Sequence, residues 1–555
     1  MGDKDAGKDI TCPFCFETFK DWQVHFRMEV REDNPLFEPQ KDQKYEDFWS
    51  KYGGTTEYGE SDEVPPYFHR VYDPRDPGHK NAFMKEDSQA DPPRTVLVRD
   101  VDGMVIGARD SFGEVTRERV CPHCHNLLPG AYGRKPVKFI SFIGITGAGK
   151  TVYLSQLCRF MPAQLGAYGV SVMPTSQYAN DYMNKNKVVM GEKLPDSTKP
   201  EQLLQPLCFD FTFSDPDGKQ HTQTFVFYDI GGENLEEKAG KKLADQAQKF
   251  GRFILHSDAL ILLIDPVQFT GMNRDAIAKD DEESKGNNEP LNPTTALTVI
   301  YNLFHQGPNP NALKNIPLAV CISQADKPLD GMASNACQFI AKGKSLSDMR
   351  GAPISGSDAL AFEAADYNQW QTCIDDFVKF LQKGAANKPR PGVNPLGTVL
   401  SKHYDCYNYF MIESIGVPLV KKRESSGTVY QVPSKQPVPK RIIEPLLWIL
   451  TILLIDGSGR PVVAVEGKIN EPKGWRCPSC NKWCSDTVTF CPKCGVNKKG
   501  EWRCRKCKRL NPRSAEWCES LCCNTNRSGG SRGFFAGLFS LFAGLFSRIS
   551  RGRGA

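Results

Sequence analysis

Val137-Lys-Phe-Ile-Ser-Phe-Ile-Gly144-Ile-Thr-Gly147-Ala148-Gly149-Lys150-Thr151-Val-Tyr-Leu-Ser-Gln-Leu-Cys-Arg-Phe-Met161 is the stretch on which the fold turns. Its first eight residues form a β-branched and aromatic run that reads as a buried strand. Its last ten residues read as an apolar-striped helix. The segment between them satisfies G-x-x-x-x-G-K-[ST], from Gly144 to Thr151. Glycines allow the backbone to curl so that several N–H groups face one phosphate, at the positive end of the following helix. Lys150 is expected to reach the β- and γ-phosphates, and the Thr151 hydroxyl to ligate Mg²⁺. Gly144, Gly147, Ala148, Gly149, Lys150 and Thr151 are therefore the candidate nucleotide contacts.

Working downstream, Leu207–Phe213, Thr224–Tyr228, Ala259–Ile264, Leu318–Ile322 and Tyr409–Ile412 read as further buried strands. Helical patterns lie between them at Asn292–Phe304 and Asp358–Gln382, and Ile442–Leu454 reads as the last helix of the unit. Alternating strands and helices predict an α/β domain with a parallel sheet flanked by helices, over 137–456. The second candidate strand ends in Tyr228-Asp229-Ile-Gly-Gly232-Glu233. An aspartate at a strand end suits a Mg²⁺-side carboxylate, and the glycines after it allow a backbone N–H to approach the γ-phosphate. Asp265, at the end of Leu-Ile-Leu-Leu-Ile-Asp, is a rival for the metal role and ranks second because proline follows it.

These pieces resemble the GTPase branch of the P-loop proteins, the TRAFAC class. Asp229-Ile-Gly-Gly-Glu233 is similar to the D-x-G-G-Q of Arf-like and heterotrimeric G proteins. The resemblance implies that Asp229 and Gly232 belong to the second switch, with Glu233 where the water-positioning glutamine stands. It implies that Ser323-Gln324-Ala325-Asp326 takes the place of [NT]-K-x-D, with Asp326 on the guanine edge and Gln324 replacing the lysine that packs on the base. Glu413-Ser414-Ile-Gly416 matches the weak fifth motif, and Thr198 is the positional candidate for the first-switch threonine. Lys150, Thr198, Asp229, Gly232 and Glu233 are thus the candidate catalytic set, with Asp326 and Ser414 on the base. The layout also resembles double-GTPase-type proteins of bacterial conflict systems, which carry zinc ribbons; this implies a role in bacterial defence. No in-cis arginine finger stands out, so slow intrinsic turnover is expected.

The whole chain has 555 residues, 40% hydrophobic and 24% charged. That is a globular composition, long enough for three to four units at about 150 residues each. No run of about 18 uncharged apolar residues occurs, which excludes a multi-span membrane protein. The opening Met-Gly-Asp-Lys-Asp-Ala6 is polar, so neither a secretory leader nor N-myristoylation is expected. The net charge of +5 divides unevenly: from Lys473 onward 17 Lys/Arg face 4 Asp/Glu, a net of +13, which leaves −8 for residues 1–472. A basic tail predicts an anionic partner, nucleic acid or lipid.

The chain has 20 cysteines, most of them in or beside Cys-x-x-Cys pairs. With no leader, that spacing reads as zinc sites in a reducing cytoplasm rather than disulfides. Cys12/Cys15 and Cys121/Cys124 are expected to close one zinc, a split ribbon with a long insertion within residues 1–136. His123 and His125 beside it are spare candidate ligands that read rather as surface residues. After a linker at 457–473, the chain repeats itself with an offset of 27: Trp475-x-Cys477-x-x-Cys480 realigns on Trp502-x-Cys504-x-x-Cys507. Cys477, Cys480, Cys491 and Cys494 make one four-thiolate finger (474–497). Cys504, Cys507, Cys518 and Cys522 make a second (498–524), in which Cys523 is an alternative fourth ligand. The second finger resembles the Ran-binding-protein type, which implies single-stranded RNA or a ubiquitin-like protein as partner. Four thiolates leave no open position, so the zinc is expected to be structural.

Residues 525–555 form a Gly/Ser/Arg linker followed by Gly-Phe-Phe-Ala-Gly-Leu-Phe-Ser-Leu-Phe-Ala-Gly-Leu-Phe-Ser. A helix there places Phe534, Leu538, Leu541, Leu545 and Ile549 on one seam, with arginines at either end. Two readings stand: a membrane-seeking tail on anionic lipid, or a helix buried against the protein or in a homo-oligomer. Together these readings predict a cytoplasmic GTP-binding switch, peripheral at the inner face of the membrane, that uses Mg²⁺ and Zn²⁺ and has protein or RNA partners. A non-hydrolysing scaffold and an ATPase are the alternatives.

Overall fold

A computed structural model describes residues 7–31, 34–51, 68–87, 89, 95–144, 148–166, 169–195, 205–214, 218–230, 251–265, 293–306, 312–324, 396–423, 429–454, 474–479, 483–485, 489–491, 496–503, 510–512 and 515. Its centre is a seven-stranded sheet. In chain order the strands are β1 (Val137–Gly144), β2 (Ser171–Pro174), β3 (Leu207–Ser214), β4 (Gln220–Ile230), β5 (Ala259–Ile264), β6 (Leu318–Ile322) and β7 (Tyr407–Met411). Helices α1 (Lys150–Gly166), α2 (Gln177–Lys185), α3 (Pro293–Gln306), α4 (Leu396–His403) and α5 (Glu444–Leu453) accompany them. The spatial order is β2-β3-β4-β1-β5-β6-β7.

Strands β1, β5 and β6 keep the bounds expected from their apolar runs, because strands covered on both faces lack the alternation of half-exposed ones. Every side chain of Ala-Leu-Ile-Leu-Leu-Ile in β5 is fully buried. Helix α1 buries Tyr153, Leu154, Leu157, Cys158, Met161 and Leu165, a stripe at helical spacing. Its hold on the late part of the chain is polar: Tyr153 Oη donates to Ile442 O at 3.0 Å, and Gln156 Nε2 to Ser414 O at 3.1 Å.

The expected all-parallel sheet needs one correction. β4, β1, β5, β6 and β7 run parallel, but β3 is antiparallel to β4 and β2 antiparallel to β3. Only residues 215–219 separate β3 from β4, and a parallel crossover needs a dozen or more. The sheet is therefore mixed. The candidate helix Asp358–Gln382 lies outside the described residues, as do 455–473 and 521–555. Among the described residues no helix is long and apolar enough to cross a membrane.

The residues before β1 build small antiparallel sheets. One joins Gln40–Lys41, Phe68–Tyr72, His25–Met28 and Arg119–Val120; another joins Leu97–Arg99, Val105–Arg109 and Val115–Thr116. Arg119 is fully buried between them, and its guanidinium donates to the carbonyls of Gly130 and Tyr132, both at 2.8 Å. A buried cation is tolerable when carbonyl oxygens surround it in this way. In the tail, Gly474–Arg476 pairs with Trp483–Ser485, and Trp502–Arg503 with Leu510–Asn511. The sequence repeat is thus matched by two hairpins, each opened by a buried tryptophan.

Candidate nucleotide site and metal centre

In an open α/β sheet, ligands bind beyond the carboxyl ends of the strands, where the order of connection reverses. Here that point is the end of β1. The chain leaves β1 toward β2, β3 and β4 on one side, then crosses back to β5 on the other. Gly144 closes β1, and Lys150 opens α1. Residues 145–147, with Gly147, lie outside the described set; Ala148 and Gly149 are described. Gly149 has φ +75°, and a Cβ there would come within 3.7 Å of Gln324 Nε2. A Cβ on Gly144 would come within 3.3 Å of Lys150 Cβ and 3.5 Å of Leu263 Cβ, so the strand end is closely packed on the start of α1 and on β5.

Lys150 is buried, and its ammonium is paired with the carboxylate of Asp229, itself buried at the end of β4. β4 and β5 flank β1, so Asp229 and Asp265 end the two strands on either side of Gly144. Lys150 chooses Asp229. Thr151, the second residue of α1, is half-buried. Its hydroxyl and a carboxylate are the hard oxygen donors that Mg²⁺ takes.

At the end of β6, Ser323 is tied to β5: its N–H and its hydroxyl both donate to Ile264 O, at 2.9 and 3.1 Å. Gln324 follows in the left-handed region with φ +51°. Beyond β7, Glu413 pairs with Lys440 through two backbone hydrogen bonds and a 3.0 Å ion pair. Ser414 is half-buried, its carbonyl on Gln156. The parallel strands thus bring Gly144, Lys150, Asp229, Asp265, Gln324 and Ser414 to one edge of the sheet. Thr198, Gly232, Glu233 and Asp326 lie outside the described residues.

The second centre is metal-like. Cys12, Cys15, Cys121 and Cys124 are buried, and their sulfurs all lie within 4.8 Å of one another. Cys12 Sγ is 3.7 Å from Cys124 Sγ, and Cys15 Sγ 3.6 Å from Cys121 Sγ. Zn–S bonds of about 2.3 Å in a tetrahedron set neighbouring sulfurs about 3.8 Å apart. The two arms repeat one another. Phe14 N and His123 N donate to Cys12 Sγ and Cys121 Sγ, each at 3.4 Å. Phe16 N donates to Cys12 O at 3.1 Å and His125 N to Cys121 O at 2.9 Å. Phe16 and His125 both adopt positive φ, +59° and +53°. The residues fit a four-thiolate ion, held in a closed, structural way. Among the described residues no other group of three or more ligating side chains converges so closely.

His125 corrects the expectation of a surface histidine. Its Nδ1 sits 2.8 Å from Asp42 Oδ2, and His69 Nε2 reaches the same oxygen at 2.8 Å. His25 Nδ1 stands 3.1 Å from His125 Nε2. Burial raises the Asp42 carboxyl, but the hydrogen bonds from His125 and His69 outweigh it and hold the group well below the usual carboxylate range. Burial pushes His25 down to about 4, with Asp73 opposing and His125 adding to the shift. No spacing rule marks this network, because His69 and Asp42 come from the long insertion. His123 is exposed, as expected.

In the tail, Cys477 and Cys491 are buried, and Ser479 N lies 3.5 Å from Cys477 Sγ. Trp502 Nε1 donates to Ala515 O at 2.8 Å. Cys480, Cys494, Cys504, Cys507, Cys518 and Cys522 are outside the described residues.

No family model matches the chain. A candidate ESX-1 scaffolding and assembly protein, SaeC of Mycolicibacterium smegmatis, is 26% identical over 159 residues, which is 27% of this chain and 38% of that protein. Among solved structures, Sup35 complexed with GMPPNP is 13% identical with a TM-score of 0.17, over 50% of this chain and 38% of that one. The G domain of the T. maritima FeoB iron transporter is 13% identical with a TM-score of 0.15, over 34% of this chain and 74% of that one. At such scores these structural likenesses carry no argument about this chain. The chain matches well under half the length of the curated relative.

Proposed function

We propose that the chain is a GTP-binding switch of the P-loop type that hydrolyses its nucleotide slowly. The observation that carries this reading is the buried Lys150–Asp229 pair at the reversal point of the sheet, between the end of β1 and the start of α1. Lys150 would serve the β- and γ-phosphates, and the Thr151 hydroxyl and the Asp229 carboxylate would be the residues that hold Mg²⁺. Mg²⁺ supplies charge neutralisation on the transferred phosphoryl group. Lys150 and the N-terminal amides of α1 stabilise the same charge from the protein side. Gly232 and Thr198 would order the switch loops on the γ-phosphate, with Glu233 beside the attacking water. Asp326, Gln324 and Ser414 would meet the base.

In this reading zinc in the four-thiolate sites is structural, the two fingers take a protein partner, and the tail meets anionic lipid at the inner face of a membrane. The test uses purified full-length protein with Mg²⁺ and GTP or ATP, beside Lys150→Ala, scoring nucleotide binding, phosphate release and liposome flotation with a non-hydrolysable GTP analogue or GDP. GTP-selective binding lost in Lys150→Ala is the expected result. ATP preference overturns the GTP assignment, and equal flotation in both nucleotide states overturns the coupling to the tail. A second reading, a scaffold that binds nucleotide without turnover, is favoured by Glu233 in place of glutamine and by the similarity to a scaffolding protein. Binding without phosphate release selects it.

A further inference from the structure

The first cysteine arm reaches beyond its metal. Phe16, just after Cys15, is buried against the central sheet. Its ring packs on Phe139 of β1, Tyr228 of β4 and Phe253, with centroids at 5.6, 5.8 and 5.1 Å, and stacks on His256 at 4.4 Å. Two hydrogen bonds then grip the backbone inside the Cys-x-x-Cys turn. Tyr228 Oη donates to Pro13 O at 2.7 Å, and the Arg252 guanidinium donates to Cys15 O. Arg252 also lies over the Phe16 ring, 5.8 Å from its centroid.

Of these partners Tyr228 lies next to the nucleotide edge in sequence, while Phe139, Arg252 and Phe253 lie toward the opposite, amino ends of β1 and β5. Tyr228 immediately precedes Asp229, the partner of Lys150. Arg252 and Phe253 belong to the helical turn 251–255 that feeds β5, whose end carries Asp265. Ser141 of β1 binds this turn, donating to Phe253 O at 3.2 Å and lying 2.7 Å from Ser257 Oγ. A single cysteine arm is thus clamped to β1, to β4 and to the turn that enters β5.

The carbonyls of Pro13 and Cys15 sit in the turn that an ion on the four thiols would hold in place. Small thiolate arms of this kind are ordered by metal and open without it. In the structure the arm is closed, with both carbonyls presented to Tyr228 and Arg252; loss of the ion would favour an open arm with both donors released. We propose that metal occupancy of the Cys12/Cys15/Cys121/Cys124 centre and nucleotide occupancy around Lys150 and Asp229 are coupled through Phe16, Tyr228 and Arg252. The proposal rests on the nucleotide-binding reading above. Tyr228 and Arg252 act as positioning residues in it, since they touch the arm rather than the phosphate edge. Because linkage is reciprocal, nucleotide must hold the metal as firmly as metal holds the nucleotide.

The reciprocal direction gives a site-resolved test. Full-length protein is treated with a zinc-selective chelator and N-ethylmaleimide, with Mg²⁺ in excess, with and without a saturating non-hydrolysable GTP analogue. Alkylation of each cysteine is followed by peptide mass spectrometry, and nucleotide binding is measured separately by fluorescence of a labelled GTP analogue. The expected result is that nucleotide slows alkylation of Cys12, Cys15, Cys121 and Cys124 at least about fivefold, the lower end of typical coupling. The rates at Cys477 and Cys491 stay unchanged. Tyr228→Phe and Arg252→Gln should abolish the slowing while keeping metal content and a single cooperative unfolding transition, at a modestly lower temperature, and Arg252→Lys should restore part of it. Bound nucleotide with unchanged alkylation overturns the coupling and leaves the nucleotide-binding reading intact. Absence of nucleotide binding overturns both.

Discussion

Glu444 is a carboxyl group with almost no water around it. It opens α5 with its side chain about 2% exposed, and Arg441 Nη1 donates to its Oε1 at 2.9 Å. Its second oxygen has no hydrogen-bond partner among the described residues. Burial pushes the group up to about 7 from an ordinary 4.5, and Arg441 offsets only part of that. A carboxyl raised in the folded state binds its proton more tightly there than in the unfolded chain. It stabilises the fold fully below about pH 4.5 and loses that contribution as pH rises through about 7. Glu444→Gln should therefore match the wild type at pH 5 and exceed it at pH 8. The gain is of order 3 kcal/mol at about 1.4 kcal/mol per pKa unit. Denaturant unfolding at the two pH values checks this, and an equal difference at both refutes it. Nothing in the sequence marks Glu444, which sits in a run of apolar residues and reads as one polar residue at a helix start. At the candidate site, Lys150 and Asp229 were legible because Lys150 sits in the glycine-rich motif at the start of a helix and Asp229 at the end of a buried strand. Tyr228 and Arg252 were not, since their role comes from a segment more than 200 residues away in sequence.

Elements were legible to the degree that burial was uniform. β1, β5 and β6 announce themselves as continuous apolar runs. β2 is four residues long and buries fully only Val172, so its signal never separates from a loop. The direction of β3 was readable from its connection: Ser214-Asp-Pro-Asp-Gly218 is a turn sequence, and its brevity outweighs the general expectation of parallel strands in an α/β chain. Turns between elements carry their own constraint. Gly416, beyond β7, has φ +67°, and a Cβ there would sit 1.8 Å from Val438 O, a backbone atom that cannot swing aside. Val438 N is hydrogen-bonded to Ile415 O at 2.9 Å, which fixes the two segments side by side. Gly103 has a similar φ of +79° but open space around it. Gly103→Ala should cost about 1 kcal/mol of backbone strain, and Gly416→Ala distinctly more. Thermal unfolding of the two variants decides; equal costs would mean that the contact with Val438 relaxes freely.

On the scale of the molecule, the amino-terminal module covers part of the sheet. Phe139, Tyr228 and Phe253 are buried with the ring of Phe16 among them. Deleting residues 1–136 should uncover this apolar patch, raise binding of a hydrophobic dye and lower the unfolding temperature of the remaining chain. A truncated protein that stays monomeric with unchanged dye binding would show that the sheet does not need its cover. The deletion also removes Lys135 and with it the 2.9 Å ion pair to Asp210 of β3.

The split cysteine centre also sets an order in time. Cys12 and Cys15 are translated long before Cys121 and Cys124, and longer still before Tyr228 and Arg252. At about 5–20 residues per second, roughly 10 to 50 s pass between synthesis of the first arm and synthesis of the surface that receives it. Until then the arm is a pair of exposed thiols on a growing chain, open to oxidation or to borrowed metal. An early-made part of this fold is among the last to be locked, and a chain that stalls before residue 252 leaves the Cys12–Cys15 arm with nowhere to dock.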